Sequence, residues 1–174
     1  DEDVSDDLKS DPTLWSGCLS GAYREDQFLE AFEAAGFHGI EILNRQTEPW
    51  NTVRGIEFRS LTVQVFKGKA GPCLERHQAV IYTGPWKAVI DDDGHTLERG
   101  KRMAVCDKTF QIYSREPYAS DITPIPPRQE VPLATAKLMS CLGTPLRDPR
   151  QTKSQMPALS LLPISDCCGT TDCC

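Results

Sequence analysis

The sequence lacks both kinds of glycine-rich loop that cradle a nucleotide: neither GxGxxG nor GxxxxGK[ST] occurs in its 174 residues. Binding of a dinucleotide or nucleoside triphosphate by backbone amides at a helix start is therefore excluded for this stretch of chain. No apolar run is more than a few residues long and no basic start precedes one, so neither a signal peptide nor a membrane-spanning helix is expected. Basic charge is also in short supply. The 19 Lys and Arg are outnumbered by 25 Asp and Glu, a net charge of −6, which argues against nucleic acid as a partner. Histidine is scarce: His38, His77 and His95 include no i, i+4 pair for a helical zinc site and stand near no GxSxG nucleophile elbow. With 39% hydrophobic and 25% charged residues, what remains is ordinary globular composition for one domain or slightly more.

Charge and proline are unevenly placed. Residues 1–30 carry nine acids against Lys9 and Arg24, so the other residues together are close to neutral. Asp1 to Asp11 has little apolar content, and residues 1–12 read as a solvated acidic linker. The chain begins with Asp1 and not Met, which fits a piece of a longer protein. Nine of the thirteen prolines fall at or after Pro117, so residues 117–174 are expected to form an extended Pro-rich tail.

Between these ends, two segments show periodicity. In residues 13–67, Glu25 and Asp26 suit a helix's first turn, Phe28, Leu29, Phe32 and Ala35 form an apolar stripe, and Gly36 stands where a left-handed cap is needed. Ile40 and Ile42 alternate as a strand does. So does the run Ile56, Phe58, Leu61, Val63, Val65 within Arg54–Lys67, with a slip in phase between Phe58 and Leu61 that predicts a bulge or burial on both faces. In residues 74–116 the spacing predicts four short strands, Ala79–Tyr82, Lys87–Ile90, Arg102–Cys106 and Thr109–Tyr113. They are separated by Gly84-Pro85, by Asp91-Asp92-Asp93-Gly94 and by Asp107-Lys108. The acidic run lacks the later bidentate acid of an EF-hand and reads as a hairpin turn, and His38, just behind the helix cap, reads as a cap or loop residue. The expected fold is α+β: an amphipathic helix and two antiparallel strands, then a small antiparallel β meander and a Pro/Cys-rich tail.

The chemical signal is sulfur. Cys167, Cys168, Cys173 and Cys174 place four thiols in the last eight residues, around Gly169. Thiolates are soft ligands and suit Cu(I), zinc or trivalent arsenic. Adjacent cysteines depart from the spacing of structural zinc sites, and thiols that are incidental or in redox exchange remain a second reading. Cys18 sits in Leu14-Trp15-Ser16-Gly17-Cys18-Leu19-Ser20-Gly21-Ala22, where small neighbours admit a ligand close to the sulfur. A reactive thiolate near a helix start and a buried, inert cysteine are both compatible with that setting. Cys73, Cys106 and Cys141, in a turn, a meander strand and the tail, read as core or incidental residues.

The stretch from Asp11-Pro12 through Leu14 to Ala22, with the helix ending Ala34-Ala35-Gly36-Phe37, resembles the region that follows the cofactor-binding core of arsenite S-adenosylmethionine methyltransferases. Glu57–Val63, continuing to Phe66-Lys67, is similar to their last core strand, Gln78–Pro85 to their accessory domain, and Cys167-Cys168-Gly169 to their cysteine-rich tail. The resemblance covers roughly residues 10–116 and the C-terminal end. It implies that the helix and strand pair are the edge of a methyltransferase sheet, and that Cys18 is one of three thiolates holding arsenic(III). It further implies that the missing N-terminal methyltransferase core, with the other two cysteines and the S-adenosylmethionine site, is a partner. On this reading the chain alone is inactive, the setting is cytoplasmic, and arsenite is the substrate. The alternative is a thiol-rich binding module that sequesters or delivers a soft metal or metalloid without catalysis. Without its sheet, the strand Arg54–Lys67 is expected to leave an open edge prone to self-association.

Overall fold

The structure is a computed structural model describing residues 1–141 and 145–153. Two short helices open it, α1 (Asp6–Lys9) and α2 (Pro12–Ser16). Asp11 caps α2: its carboxylate accepts from the backbone N–H of Thr13 at 2.8 Å and Leu14 at 3.3 Å, and Pro12 occupies the first turn, where no amide hydrogen is required. Residues 1–12, read from their charge as a solvated linker, are docked instead. Val4 and Leu8 bury against Leu19, Ile56 and Phe58. The acids find partners as well: Asp3 pairs with Arg24 at 2.9 Å, Asp7 pairs with Arg54, and the N-terminal amine donates to the Glu57 carbonyl at 3.1 Å. Two apolar side chains, spaced to meet one small cluster, are enough to anchor a segment whose average composition is that of a linker.

The amphipathic helix is α3 (Glu25–Ala34), with Glu25 and Asp26 in its first turn and Gly36 beyond its end at φ +78°. Its stripe is a ladder of edge-to-face rings, Phe28 to Phe32 at 5.1 Å and Phe32 to Phe37 at 5.7 Å. The chain continues into β1 (His38–Arg45), β2 (Asn51–Val53), β3 (Ile56–Phe58) and β4 (Leu61–Phe66). β1 and β4 form an antiparallel ribbon with two register shifts. β2 and β3 form a hairpin whose two-residue turn, Arg54 (φ +52°) and Gly55 (φ +91°), has the positive φ values that suit strand twist. The expected strand Arg54–Lys67 is thus two strands in two sheets. The slip in phase between Phe58 and Leu61 marks a change of partner, not a bulge within one strand. Gly39, at φ +61°, lets β1 pass close beneath its neighbours: a Cβ there would lie 3.0 Å from Phe66 and 3.2 Å from Pro117.

The rest of the chain contains β5 (Leu74–Glu75), β6 (Ala79–Tyr82), β7 (Ala88–Ile90), β8 (Thr96–Glu98), β9 (Arg102–Ala104), α4 (Asp107–Tyr113) and β10 (Ile122–Ile125). A 3-10 turn (Leu133–Thr135), β11 (Lys137–Leu138) and α5 (Pro149–Lys153) follow. The antiparallel sheet has the order β10-β6-β9, β7 and β8 form a hairpin, and β5 pairs with β11. Val80, Leu97, Met103, Tyr113 and Ile122 centre the core beneath that sheet. The fold is α+β with a small antiparallel meander, as expected.

Two elements differ from expectation. Thr109–Tyr113 is helix, not strand. Thr109, Phe110, Ile112 and Tyr113 are all buried, so spacings of one, three and four place them on one helical face, and Asp107 supplies the acidic first turn. The stretch read as an extended tail contributes β10, which is hydrogen-bonded to β6 with Ile122 buried and Pro124 opposite Val80. As the outer strand of the sheet, β10 tolerates a proline, which has no N–H to donate. Further along, Pro145 accepts from the Ala104 N–H and Arg147 donates to the Arg102 carbonyl, each at 2.8 Å, so this segment runs alongside β9.

His38 is a strand residue and not a cap. Its ring lies between Phe66 and Tyr118, at 6.1 and 6.4 Å, and burial lowers its pKa. Among the described residues, no helix is long and apolar enough to cross a membrane.

Candidate metal centre

Three cysteines that the sequence scatters meet in the fold. The Sγ atoms of Cys73, Cys106 and Cys141 all lie within 4.8 Å of one another. Cys106 lies in the core, as its sequence reading allowed; that the other two meet it there is what the sequence did not show. Each comes from a different segment. Cys73 immediately precedes β5, Cys106 is the extended residue that starts α4 (φ −73°, ψ 164°), and Cys141 follows β11. The β5–β11 pairing, extended by the Met139 N–H donating to the Cys73 carbonyl at 2.9 Å, brings the Cys141 segment to Cys73.

Ion pairs fix β5 against the rest of the domain. Arg147, whose side chain is 5% exposed, donates through Nη2 to both Glu75 carboxylate oxygens at 2.7 and 2.9 Å and through Nε to the Gln78 carbonyl at 3.1 Å. Arg76 joins β5 to the start of α4 through Asp107 at 2.7 Å and reaches the Val131 carbonyl at 2.6 Å. Gln78 also donates to Asp107, at 3.1 Å. Cys73 and Cys106 are therefore attached to elements joined by the Arg76–Asp107 pair.

Cys106 and Cys141 hold their protons unequally. Burial alone would raise Cys106, which is fully buried, but the Thr109 hydroxyl at 3.3 Å, the Thr109 N–H and the neighbouring Cys73 and Cys141 thiols act the other way and hold it below the ordinary thiol range. Cys141 is pushed up to about 12, first by burial and then by its contacts with Cys73 and Cys106. All three are free thiols. Such a group can close on one soft ion or, where a disulfide is present to accept two electrons by thiol–disulfide exchange, lose two hydrogens as a sulfur–sulfur bond forms.

Cys18 lies apart from this cluster. It is exposed, just past the end of α2, and its N–H donates to the Trp15 carbonyl at 3.0 Å. It is not buried. Its φ of +60° is a left-handed conformation in which a side chain costs roughly 1–2 kcal/mol. Cys167, Cys168, Cys173 and Cys174 lie outside the described residues.

A second group of potential ligands, Asp91, Asp93 and His95, occupies the β7–β8 turn. The Asp91 carboxylate there accepts from the Asp93 N–H at 3.0 Å, the His95 N–H at 2.7 Å and the Tyr113 hydroxyl, and lies 2.8 Å from His95 Nδ1. Those contacts account for it as a hairpin turn, in agreement with its sequence. The sequence offered no comparable signal for the cysteine cluster, because its members are more than thirty positions apart at each step.

The chain is similar to two proteins named arsenite methyltransferase. It is 27% identical over 124 residues to that of Aquipseudomonas alcaligenes, covering 64% of this chain and 36% of the relative. It is 25% identical over 186 aligned positions to that of Rattus norvegicus, covering 99% of this chain and 48% of the relative. The chain thus spans less than half the length of either relative. A family described as a domain of unknown function, DUF8838, matches residues 69–157, a segment that contains all three clustered cysteines. The chain belongs to the DUF8838 family.

Proposed function

We propose that this chain is the C-terminal part of a protein that methylates trivalent arsenic, with Cys18 supplying one of the thiolates that hold the substrate. The observation that carries the reading is Cys18 itself: an exposed sulfur on a left-handed residue, in the segment that resembles arsenite methyltransferases. Glycine would fill that backbone position more easily, so a cysteine there points to a use for its side chain. The substrate class comes from the two similar proteins, both arsenite methyltransferases by name.

The first part of the chain supports a docking role towards a methyltransferase core. Ile42 and Leu43 on β1 are 52% and 57% exposed, and Phe28, Leu29 and Phe32 of α3 are only half-buried. β1 and β4 have no other strand beside them among the described residues. An apolar ribbon with open edges is what remains when a larger sheet and its cover are supplied by other sequence. S-adenosylmethionine, bound by such a core, would supply the methyl group. The contribution of Cys18 is to present a soft ligand that leaves the arsenic lone pair free for transfer.

The test compares this chain with a polypeptide in which a methyltransferase core precedes it, both given arsenite and S-adenosylmethionine. Turnover is expected only from the longer protein, and Cys18→Ser in that protein should weaken arsenite binding. Unchanged affinity and product distribution in Cys18→Ser would overturn the assignment, and turnover by the short chain would overturn the division of labour.

A further inference from the structure

We infer that Cys73, Cys106 and Cys141 form a second binding site, specific for a trivalent thiophilic metalloid such as arsenic(III), separate from the site to which Cys18 belongs. Three features select this class of ligand. The first is number: among the described residues the cluster offers three sulfurs, with no histidine or carboxylate in the group. Trivalent arsenic takes three thiolates and completes its valence shell with a lone pair, whereas structural zinc takes four protein ligands in a tetrahedron.

The second is charge. Arsenous acid, As(OH)3, reacts with three thiols by forming three As–S bonds and breaking three As–O and three S–H bonds, and three water molecules leave. No electron is transferred, and the product is neutral. Three thiolates around zinc would carry a net charge of −1, and around Cu(I) −2. Cys106 is fully buried, and the guanidinium joining the two cysteine-bearing elements, Arg76, is already paired with Asp107. Lys108, which donates to the Gly71 carbonyl at 3.1 Å, is the cation nearest in sequence to Cys106, and one such charge would not neutralise a complex of −2. Burying a net anion is costly unless a cation compensates it, and a neutral complex avoids that cost.

The third is preorganisation. The three sulfurs already lie within 4.8 Å of one another, on segments fixed by the Arg147–Glu75 and Arg76–Asp107 pairs and by the β5–β11 ladder. Closure needs movements of side chains and not of elements. The site also differs from Cys18 in character, being partly to fully buried where Cys18 is exposed.

The experiment uses the whole 174-residue chain with Cys18, Cys167, Cys168, Cys173 and Cys174 all changed to Ser, leaving the triad as its only thiols. Sodium arsenite is the probe and native mass spectrometry the readout. One arsenic per chain is expected, together with protection of three thiols from alkylation and a rise in the thermal midpoint. Cys73→Ser or Cys141→Ser in this background should weaken binding by about tenfold or more. A second measurement needs no substitution: in the unaltered chain, arsenite should slow alkylation of Cys73, Cys106 and Cys141, followed by peptide mapping.

A folded triad-only variant that takes up no arsenic would overturn the inference. So would binding indifferent to Cys73 and Cys141, unprotected triad thiols in the unaltered chain, or zinc held so that equimolar arsenite does not displace it. Failure here is distinguishable from failure of the Cys18 reading, because that reading is tested by Cys18→Ser in the longer protein, where the triad is intact.

Discussion

Arg147→Met is the sharpest test of how the cysteine cluster is held in place. Methionine keeps most of the aliphatic length and removes the guanidinium, so the loss is one of charge and hydrogen bonds more than of packing. The Glu75 carboxylate would lose the Nη2 donor that reaches its two oxygens at 2.7 and 2.9 Å, and the Gln78 carbonyl its 3.1 Å donor. Breaking a fully buried pair costs about 3–5 kcal/mol. The Glu75 side chain is 25% exposed, and water recovers part of that, so about 2–4 kcal/mol is expected. At about 2–4 °C per kcal/mol for a chain of this size, the thermal midpoint should fall by roughly 5–15 °C. Urea unfolding followed by circular dichroism measures the first quantity, and the alkylation rate of Cys73, which should rise, reports whether β5 has loosened. Glu75→Gln keeps an acceptor for the His77 N–H at 2.6 Å while removing the charge. The double variant should therefore lose less than the sum of the single ones, by about 0.5–3 kcal/mol. A loss below about 1 kcal/mol for Arg147→Met, or strict additivity with Glu75→Gln, would refute the clamp.

Two other outcomes follow from particular residues. Cys18→Gly should leave the folded chain equally stable or raise its stability by up to about 1 kcal/mol, since it relieves a left-handed side chain at the cost of glycine's greater freedom when unfolded. A clear loss in a denaturant melt would show that the Cys18 side chain packs. The Asp91–His95 pair should give stability a pH signature. Its hydrogen bond to Asp91 raises His95 despite burial, whereas for Asp91 burial acts upwards but is outweighed by the hydrogen bonds from His95 and Tyr113, which lower it. The His95 contribution is therefore complete below about pH 6.5 and lost as pH rises through its raised value; that of Asp91 is complete above about pH 3.9 and lost as pH falls through its lowered value. His38, lowered by burial, works against stability as pH falls below about 6.5, but it is common to the unaltered chain and to His95→Gln. The stability difference between those two proteins should shrink between about pH 6 and pH 9, and a constant difference would refute the pairing.

How much could be read in advance depended on how local the cause was. α3 was legible because its acids, its stripe and Gly36 all lie within twelve residues, and the β7–β8 turn because the Asp91 to Gly94 run encodes it directly. α4 was misread because threonine, isoleucine and tyrosine favour strands, and five residues are too few for the helical period to outweigh that preference. β10 was hidden by proline density that matters only for inner strands. Cys18 was singled out by the family resemblance of its segment, its neighbours leaving both readings open, and its exposure and left-handed backbone came only with the fold. The cysteine triad was beyond local reading altogether. Its assembly depends on a two-residue ladder between β5 and β11 and on ion pairs such as Arg147 to Glu75, which span more than seventy positions.

The placement of the triad has a topological consequence. Cys73 and Cys141 stand at the two ends of a stretch containing the whole three-stranded sheet, the β7–β8 hairpin and α4, with Cys106 near its midpoint. Whatever bridges the three sulfurs ties that stretch into two loops of similar size and works as a clasp on the chain. For a single cross-link between its ends, the entropy removed from the unfolded chain corresponds to about 4 kcal/mol. Occupancy of the site would then be felt throughout the domain as resistance to unfolding, including at residues such as Leu97 and Val80 that lie in its core and carry no sulfur.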